Sequence, residues 1–245
     1  MEQKLRVGIT GAGGVLGSAL VQGLREKYEL VLFDSKPLHN LKQCESKRLD
    51  LADPAQLPGA FEGLDAIFHL AGNPNPGAPH ADTMRNNFLA TSLTFEQARR
   101  DGVKKIVFAS SNFFHQKDIA VALRSGRKSS IRLDDRASPD CLYGDSKVYG
   151  EHLGQHYANL GIDFVALRIG WSVPGDTPVP YNSQYMRAMF CSKRDLVKAF
   201  EQSLESKEKF ITAFAISNND EKVFDLTETQ AKFGFYPQDN SAHYF

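Results

Sequence analysis

Apolar positions along the chain fall into short continuous runs separated by stretches of helical spacing, the pattern of a parallel sheet buried on both faces. Residues 5–9 and 29–33 read as the first two strands, and Leu16, Leu20, Val21 and Leu24 mark a helix between them. Residues 47–51 give a short third strand, 65–72 a fourth, 104–109 a fifth, 162–168 a sixth and 210–216 the last. A helix is expected over 82–100 with Met84, Phe88, Thr91 and Phe95 inward and Asn87 on a flank; others cover 141–151 and run from Ser192 to about Leu204, with Leu196, Val197 and Phe200 inward. The segment from Asn73 to Pro79 is too rich in proline to continue helix or sheet. Residues 170–185, carrying Pro174, Pro178 and Pro180, read as a loop over the substrate, and the tail beyond Asn218 is polar with aromatic anchors.

This alternation predicts an α/β fold: a Rossmann-type doubly wound parallel sheet with a small carboxy-terminal substrate-covering region. Residues 1–245 form a single domain in this reading, with 170–245 contributing a small substrate-binding lobe.

The first strand runs directly into Gly11, Gly14 and Gly17 and then into a helix that includes Val15 and Leu16. Glycines there let the backbone turn tightly and bring a pyrophosphate onto the free N–H groups of the helix N-terminus. Asp34 ends the second strand about 20 residues past the glycines, where a carboxylate accepts from both ribose hydroxyls and opposes a 2′-phosphate, favouring NAD; Lys36 close by leaves some tolerance of NADP. Asp50 ends the third strand, able either to accept from an adenine amino group or to cap a helix starting at Asp53 and Pro54. His69 sits in an apolar run and reads as a buried structural histidine.

Tyr143 and Lys147 are four residues apart and share a face if helical. A phenol is a poor base at neutral pH, and a nearby ammonium pulls its pKa down while also reaching a ribose. Ser110 and Ser111, at the tip of the fifth strand, compete to meet a substrate oxygen beside Tyr143.

Charge narrows the partners. Twenty-nine basic side chains balance 29 acidic ones, so nothing draws the chain to nucleic acid or an anionic membrane, and a small molecule is the expected partner. Cys44, Cys141 and Cys191 are odd in number and widely spaced, which fits a reducing compartment and offers no metal spacing. No apolar run approaches a bilayer span, and a cytoplasmic protein is expected. His152 and His156 have the i, i+4 spacing of some zinc sites but lack the glutamate between them, so no metal is expected.

Taken together, Thr10 with Gly11, Gly14 and Gly17, Asp34, Asp50 with Leu51, the run His69, Leu70, Ala71, Gly72, Asn87, Phe108 to Ser111, Tyr143 with Lys147, and Arg168, Ile169, Gly170 resemble an extended short-chain dehydrogenase/reductase, of the NAD-dependent epimerase/dehydratase family. Within it the chain resembles the uronate dehydrogenases, through Phe108 to Asn112, Leu142 to Lys147, Arg168 to Gly170 and Ser192 to Asp195. The resemblance implies Tyr143 as acid/base, Lys147 as its partner and Ser111 as the substrate-oxygen ligand. It implies cofactor contacts from Gly11, Gly14, Val15, Leu16, Gly17, Asp34, Asp50, Leu51, Leu70, Ala71, Gly72, Asn87, Tyr143, Lys147 and Ile169. Substrate contacts are implied for Asn73, Ser111, Asn112, Tyr143 and Ser172, with Arg187 the nearest match to a carboxylate-binding arginine. Pro74 stands where those enzymes have serine, and Trp171 replaces a small residue.

Residues 112–143 are longer than that pattern and carry Arg124, Arg127, Lys128, Arg132 and Arg136 around Ser129 and Ser130. They read as a solvated loop or, alternatively, as a phosphate site. The expected activity is NAD-dependent oxidation of a sugar hydroxyl, anomeric in a uronate or related sugar, giving a lactone. An epimerase or dehydratase using the same triad is the alternative, and a dinucleotide-sensing regulator a third. A homodimer through the two long helices is expected.

Overall fold

The computed structural model describes residues 4–38 and 44–245. Among them seven strands, β1 (Arg6–Thr10), β2 (Glu29–Asp34), β3 (Glu45–Arg48), β4 (Ala66–His69), β5 (Lys105–Ser111), β6 (Asp163–Ile169) and β7 (Phe210–Ala215), form one sheet in the order β3-β2-β1-β4-β5-β6-β7. Every pairing is parallel. The chain builds outward from β1 to β3, then returns to β4 on the other side of β1. Loops leaving the carboxyl ends of β1 and β4 therefore diverge and open a crevice there.

Strand alternation assigns the core. Val7, Ile9, Leu30, Leu32, Val107 and Val165 pack on one face with helices α1 (Val15–Leu24) and α7 (Lys193–Glu205). Val31, Phe33, Ile67, Ile106, Phe108 and Phe164 pack on the other with α3 (Ala90–Arg100) and α5 (Leu142–Asn159). Both faces are covered, which is why the strands read as apolar runs. The exception is β3, an edge strand exposed at all four positions, which lies two residues before the 47–51 expectation and leaves Asp50 beyond its end. With one neighbour and no covered face, its sequence carries little apolar signal.

The helix expected over 82–100 is broken. A short α2 (His80–Thr83) passes through a π-helical turn, Met84–Leu89, into α3. The wider turn rotates the inward face, so Asn87 is buried and Met84, expected inward, is 39% exposed. Residues 112–143 are also not simply a loop. A 3₁₀ turn, Asn112–His115, leads into α4 (Gln116–Ser125), and Ile131 then bridges to Phe224. Ile119, Ala122 and Ile131 join Met189 of α6 (Gln184–Met189), Phe214 and Phe224 in a separate cluster, an anchor hidden in the sequence among the arginines.

Helix α5 lies unusually close to the sheet. A β-carbon on Gly150 would come within 2.3 Å of the Phe108 ring, and one on Gly154 within 2.1 Å of the Phe164 ring. Gly154→Ala should therefore lower unfolding stability by about 1–3 kcal/mol in denaturant titration, overpacking outweighing alanine's better helix propensity of about 1 kcal/mol. An unchanged or raised midpoint would show that the helix has room to move off the sheet.

Candidate functional site

The crevice at the carboxyl ends of β1 and β4 is a cavity of about 1190 Å³. At its amino-terminal end Gly11 holds φ +68°, which a larger residue adopts only under strain, and a β-carbon on Gly17 would come within 2.5 Å of the Gly11 carbonyl. The turn thus packs directly under α1. Gly14 precedes α1 with no side chain capping the helix, and a β-carbon there would meet only the Gly11 carbonyl, at 3.3 Å, otherwise projecting into the crevice. First-turn N–H groups with open space in front fit a pyrophosphate. Asp34 caps the same turn: its carboxylate accepts from the backbone N–H groups of Gly13 and Lys36, each at 3.0 Å, and lone pairs remain for ribose hydroxyls. These residues fit a dinucleotide carrying an unphosphorylated ribose.

Thr10 and His69 lock the floor. The Thr10 hydroxyl accepts from the backbone N–H groups of Leu70 and Ala71 and pairs with His69 Nδ1 at 3.0 Å, while His69 Nε2 meets the Thr91 hydroxyl at 3.1 Å. Burial, with the Lys147 charge adding to it, pushes the His69 pKa down to about 3, so the ring stays neutral. Asp50 does not cap a helix; Asp53 does, accepting from Ala55. Instead Arg85 donates to both oxygens of Asp50, at 3.2 and 2.7 Å, and the carboxyl is held below its usual range chiefly by that bond.

At the other end, β5 and the start of α5 bring Ser111, Tyr143 and Lys147 together. Alternation along β5 separates the two serines. Ser110 donates to the buried carboxylate of Glu151, whereas Ser111 donates to Asn112 Oδ1 at 3.1 Å, accepts from the Phe113 N–H and lines the crevice with Tyr143. The Phe113 ring meets the Tyr143 ring edge-on at 5.3 Å. Lys147 is buried and donates to the Ala109 carbonyl at 2.9 Å. Its ammonium lies 5.3 Å from the Tyr143 ring centroid and 5.0 Å from that of Phe108. Burial lowers its pKa to about 8 against a smaller opposing effect of Glu151.

One expectation is corrected here. Lys147 does not pull the Tyr143 phenol down; burial pushes it up, with a smaller opposing influence of Ser111. The ammonium is engaged by a carbonyl and faces the ring rather than bonding the hydroxyl, so desolvation prevails.

Beneath this pair runs a polar network that the residue spacing did not reveal. Arg168 donates to Glu151 from Nε and Nη2 at 3.1 and 2.9 Å, with both side chains about 95% buried, and its Nη1 reaches His115 Nε2 at 2.9 Å and the Leu133 carbonyl at 3.0 Å. The guanidinium also stacks on Phe114, 3.6 Å from its centroid. Glu151 stands one turn beyond Lys147 on α5, a spacing legible in the sequence; its partner on β6 was not.

Of the catalytic, cofactor and substrate residues that the resemblance implies, all but Asn87 and Arg187 line the crevice. Asn87 stands behind it, accepting from the Asn73 N–H at 2.7 Å and donating to the Asn73 carbonyl and to Ser146, so it holds the loop that carries Asn73. Arg187 is not brought in. It donates to Asn182 and lies over the Phe245 ring, 4.3 Å from its centroid. His152 and His156 are exposed on the outer face of α5, and no group of three or more metal-ligating residues forms among the described residues. Nor is any helix among them long and apolar enough to cross a membrane. Unanticipated in the crevice is an aromatic wall of Trp171, Tyr181 and Tyr185.

Residues 7–171 match the model of the NAD dependent epimerase/dehydratase family. The chain is 34% identical to an L-arabinose 1-dehydrogenase (NAD(P)(+)) of Haloferax volcanii, covering 97% of this chain and 98% of that one. It is likewise 34% identical to an NAD-dependent glucose-6-phosphate dehydrogenase of the same organism, over 96% of this chain and 94% of the other. Among solved structures, a uronate dehydrogenase from Agrobacterium tumefaciens in complex with NAD superposes with a TM-score of 0.84 at 28% identity, covering 98% of this chain and 86% of that one.

The depressed pKa of Lys147 gives the site a stability signature. Between about 8 and 10.5 the unfolded chain holds a proton that the folded chain has released, so stability attributable to this residue rises with pH across that window. Relative to Lys147→Met, the wild-type protein should gain up to about 3 kcal/mol from pH 8 to pH 10.5 in parallel denaturant melts. Parallel curves for the two proteins would mean that Lys147 keeps its ordinary pKa.

Proposed function

The chain belongs to the NAD dependent epimerase/dehydratase family, and on that premise we propose that it is an NAD-dependent sugar dehydrogenase of the extended short-chain type, oxidising the anomeric hydroxyl of a sugar to a lactone. The observation that carries this is that Ser111, Tyr143 and Lys147 line the crevice together, with Ser111 near enough to Tyr143 to act on its phenol, while the glycine turn and Asp34 line the far end. The three relatives named above, acting on an arabinose, a glucose 6-phosphate and a uronate by their names, share sugar oxidation and differ in the charge of the sugar.

In this reading Ser111 hydrogen-bonds the reacting oxygen and Tyr143 removes its proton. Bound NAD supplies the hydride acceptor and, in its oxidised form, a positive charge within the crevice that favours the phenolate. At rest the phenol is protonated, because burial raises its pKa. Lys147, fixed on the Ala109 carbonyl with two donor hydrogens to spare, orients the ribose. Phe113 and the buried residues beneath keep water from the reacting oxygen. Homodimerisation belongs to the same proposal: Met84 and Leu89 are exposed beside α3, and the Phe88–Tyr149 ring pair joins that surface to α5.

With a suitable aldose or uronate, NADH should accumulate at 340 nm. Tyr143→Phe should cut turnover about a hundred- to ten-thousandfold while leaving the NAD dissociation constant, by calorimetry, within about twofold. Sugar isomerisation without net NADH would replace this reading by an epimerase. For the dimer, sedimentation should give twice the chain mass, and Leu89→Lys should give monomer; a monomeric wild type removes that part.

A further inference from the structure

The crevice has a sugar end as well as a nucleotide end, and its lining there is unlike that of an anion site. Resting on the dehydrogenase reading above, we propose that the substrate is an uncharged aldose whose apolar C–H face lies on the wall of Trp171, Tyr181 and Tyr185.

The wall is a built feature. Ser111 pairs with Ile169 in the sheet, so Trp171, two residues further along, emerges on the same rim as the catalytic serine. Gly170 lets the chain pass within 2.1 Å, measured from a β-carbon placed there, of the Met189 carbonyl. The Trp171 N–H donates to that carbonyl at 2.6 Å, and the Trp171 carbonyl accepts from Cys191 at 3.2 Å. The backbone at Trp171 is thus held on both sides, and the residue, 38% exposed, lines the crevice. Tyr181 stands 5.3 Å from it at 47°, and Tyr185 6.0 Å away at 68°. The Tyr185 hydroxyl accepts from Asn112 and donates to Gln116 at 2.9 Å, which fixes its ring. Flat aromatic faces that lean on one another bury a pyranose C–H surface with few torsions to order.

Charge decides the class. Among the described residues lining the crevice the cations are Lys36, beside Asp34, and Lys147, engaged beneath Tyr143. Arg187 follows Tyr185 by two positions on α6, about 200° round the helix, and is turned onto Phe245. The arginines of 124–136 that face a cavity, Arg127 and Arg136, line a second one of about 370 Å³, shared with Asp118 and Asp135, and no residue lines both. A carboxylate or phosphate at the wall would lose water and gain no counter-charge. The polar groups offered are neutral: Asn73, Asn112 and Ser172 suit hydroxyls.

The test compares sugars differing at one carbon: D-galactose against D-galacturonate, and D-glucose against D-glucuronate and D-glucose 6-phosphate, each with NAD. The neutral member should show a kcat/KM at least about tenfold higher. A charged member used equally well or better overturns the proposal. Trp171→Ala should raise KM for the neutral sugar about tenfold with kcat within about threefold, and Trp171→Phe should recover most of that loss. Tyr181→Arg should move the galacturonate-to-galactose ratio upward by about tenfold. An unchanged KM in Trp171→Ala overturns the wall while NADH formation leaves the dehydrogenase reading standing. Binding is read separately, because Trp171 is the chain's single tryptophan. In Tyr143→Phe saturated with NAD, neutral aldoses should change its fluorescence saturably. A response without NADH formation by the wild type keeps the wall and removes the activity. Silence in both measurements removes both.

Discussion

The end of the crevice that holds Ser111, Tyr143 and Lys147 depends on how closely α5 lies against the sheet. Gly150 and Gly154 face the rings of Phe108 and Phe164 with no space for a methyl group, so the helix axis sits nearer to β5 and β6 than side-chain packing ordinarily permits. That approach lets Lys147 reach the Ala109 carbonyl and sets Tyr143 beside Ser111 at the strand tip. The aromatic rings serve twice, as core and as the surface the ammonium rests on.

Close approach has an electrostatic consequence. Lys147 and Glu151 sit on the buried face of the helix, and charge there is tolerated only where it is paired. Glu151 is matched by the two-pronged bond from Arg168, which in turn is satisfied by His115, Leu133 and the Phe114 ring. His115 stays neutral because burial and Arg168 push its pKa down to about 3, leaving Nε2 free to accept. Lys147 has no carboxylate in direct contact, and it is the group whose pKa falls toward neutrality. The network thus ties β5, α5 and β6 together while Lys147, outside it, carries the lowered pKa.

At the nucleotide end, backbone geometry matters more than charge. Thr10, His69 and Thr91 tie the ends of β1 and β4 together, and Asn87 ties down the following loop. The π-helical turn makes the last of these possible. A regular helix would have kept Asn87 on the flank; one wider turn carries its amide inward to both polar groups of the Asn73 backbone.

The strands buried on two faces, the glycine turn, Asp34 and the Tyr143/Lys147 pair were legible in the chain because each is a local pattern, set by runs, spacing and turn chemistry within a few residues. Boundaries slipped where local signals weaken: at the edge strand β3, whose side chains meet water on both faces, and in residues 112–143, where Ile119, Ala122 and Ile131 are outnumbered by charged neighbours. What tertiary structure alone decided was pairing across the sequence. It sent Ser110 to Glu151 and Ser111 to the crevice that Tyr143 also lines, matched Glu151 with Arg168, raised rather than lowered the Tyr143 pKa, turned Arg187 away and gathered Trp171, Tyr181 and Tyr185 into a wall. The reason is physical: secondary structure follows from neighbours a few residues away, whereas burial, desolvation and charge pairing depend on which distant side chains arrive at the same place.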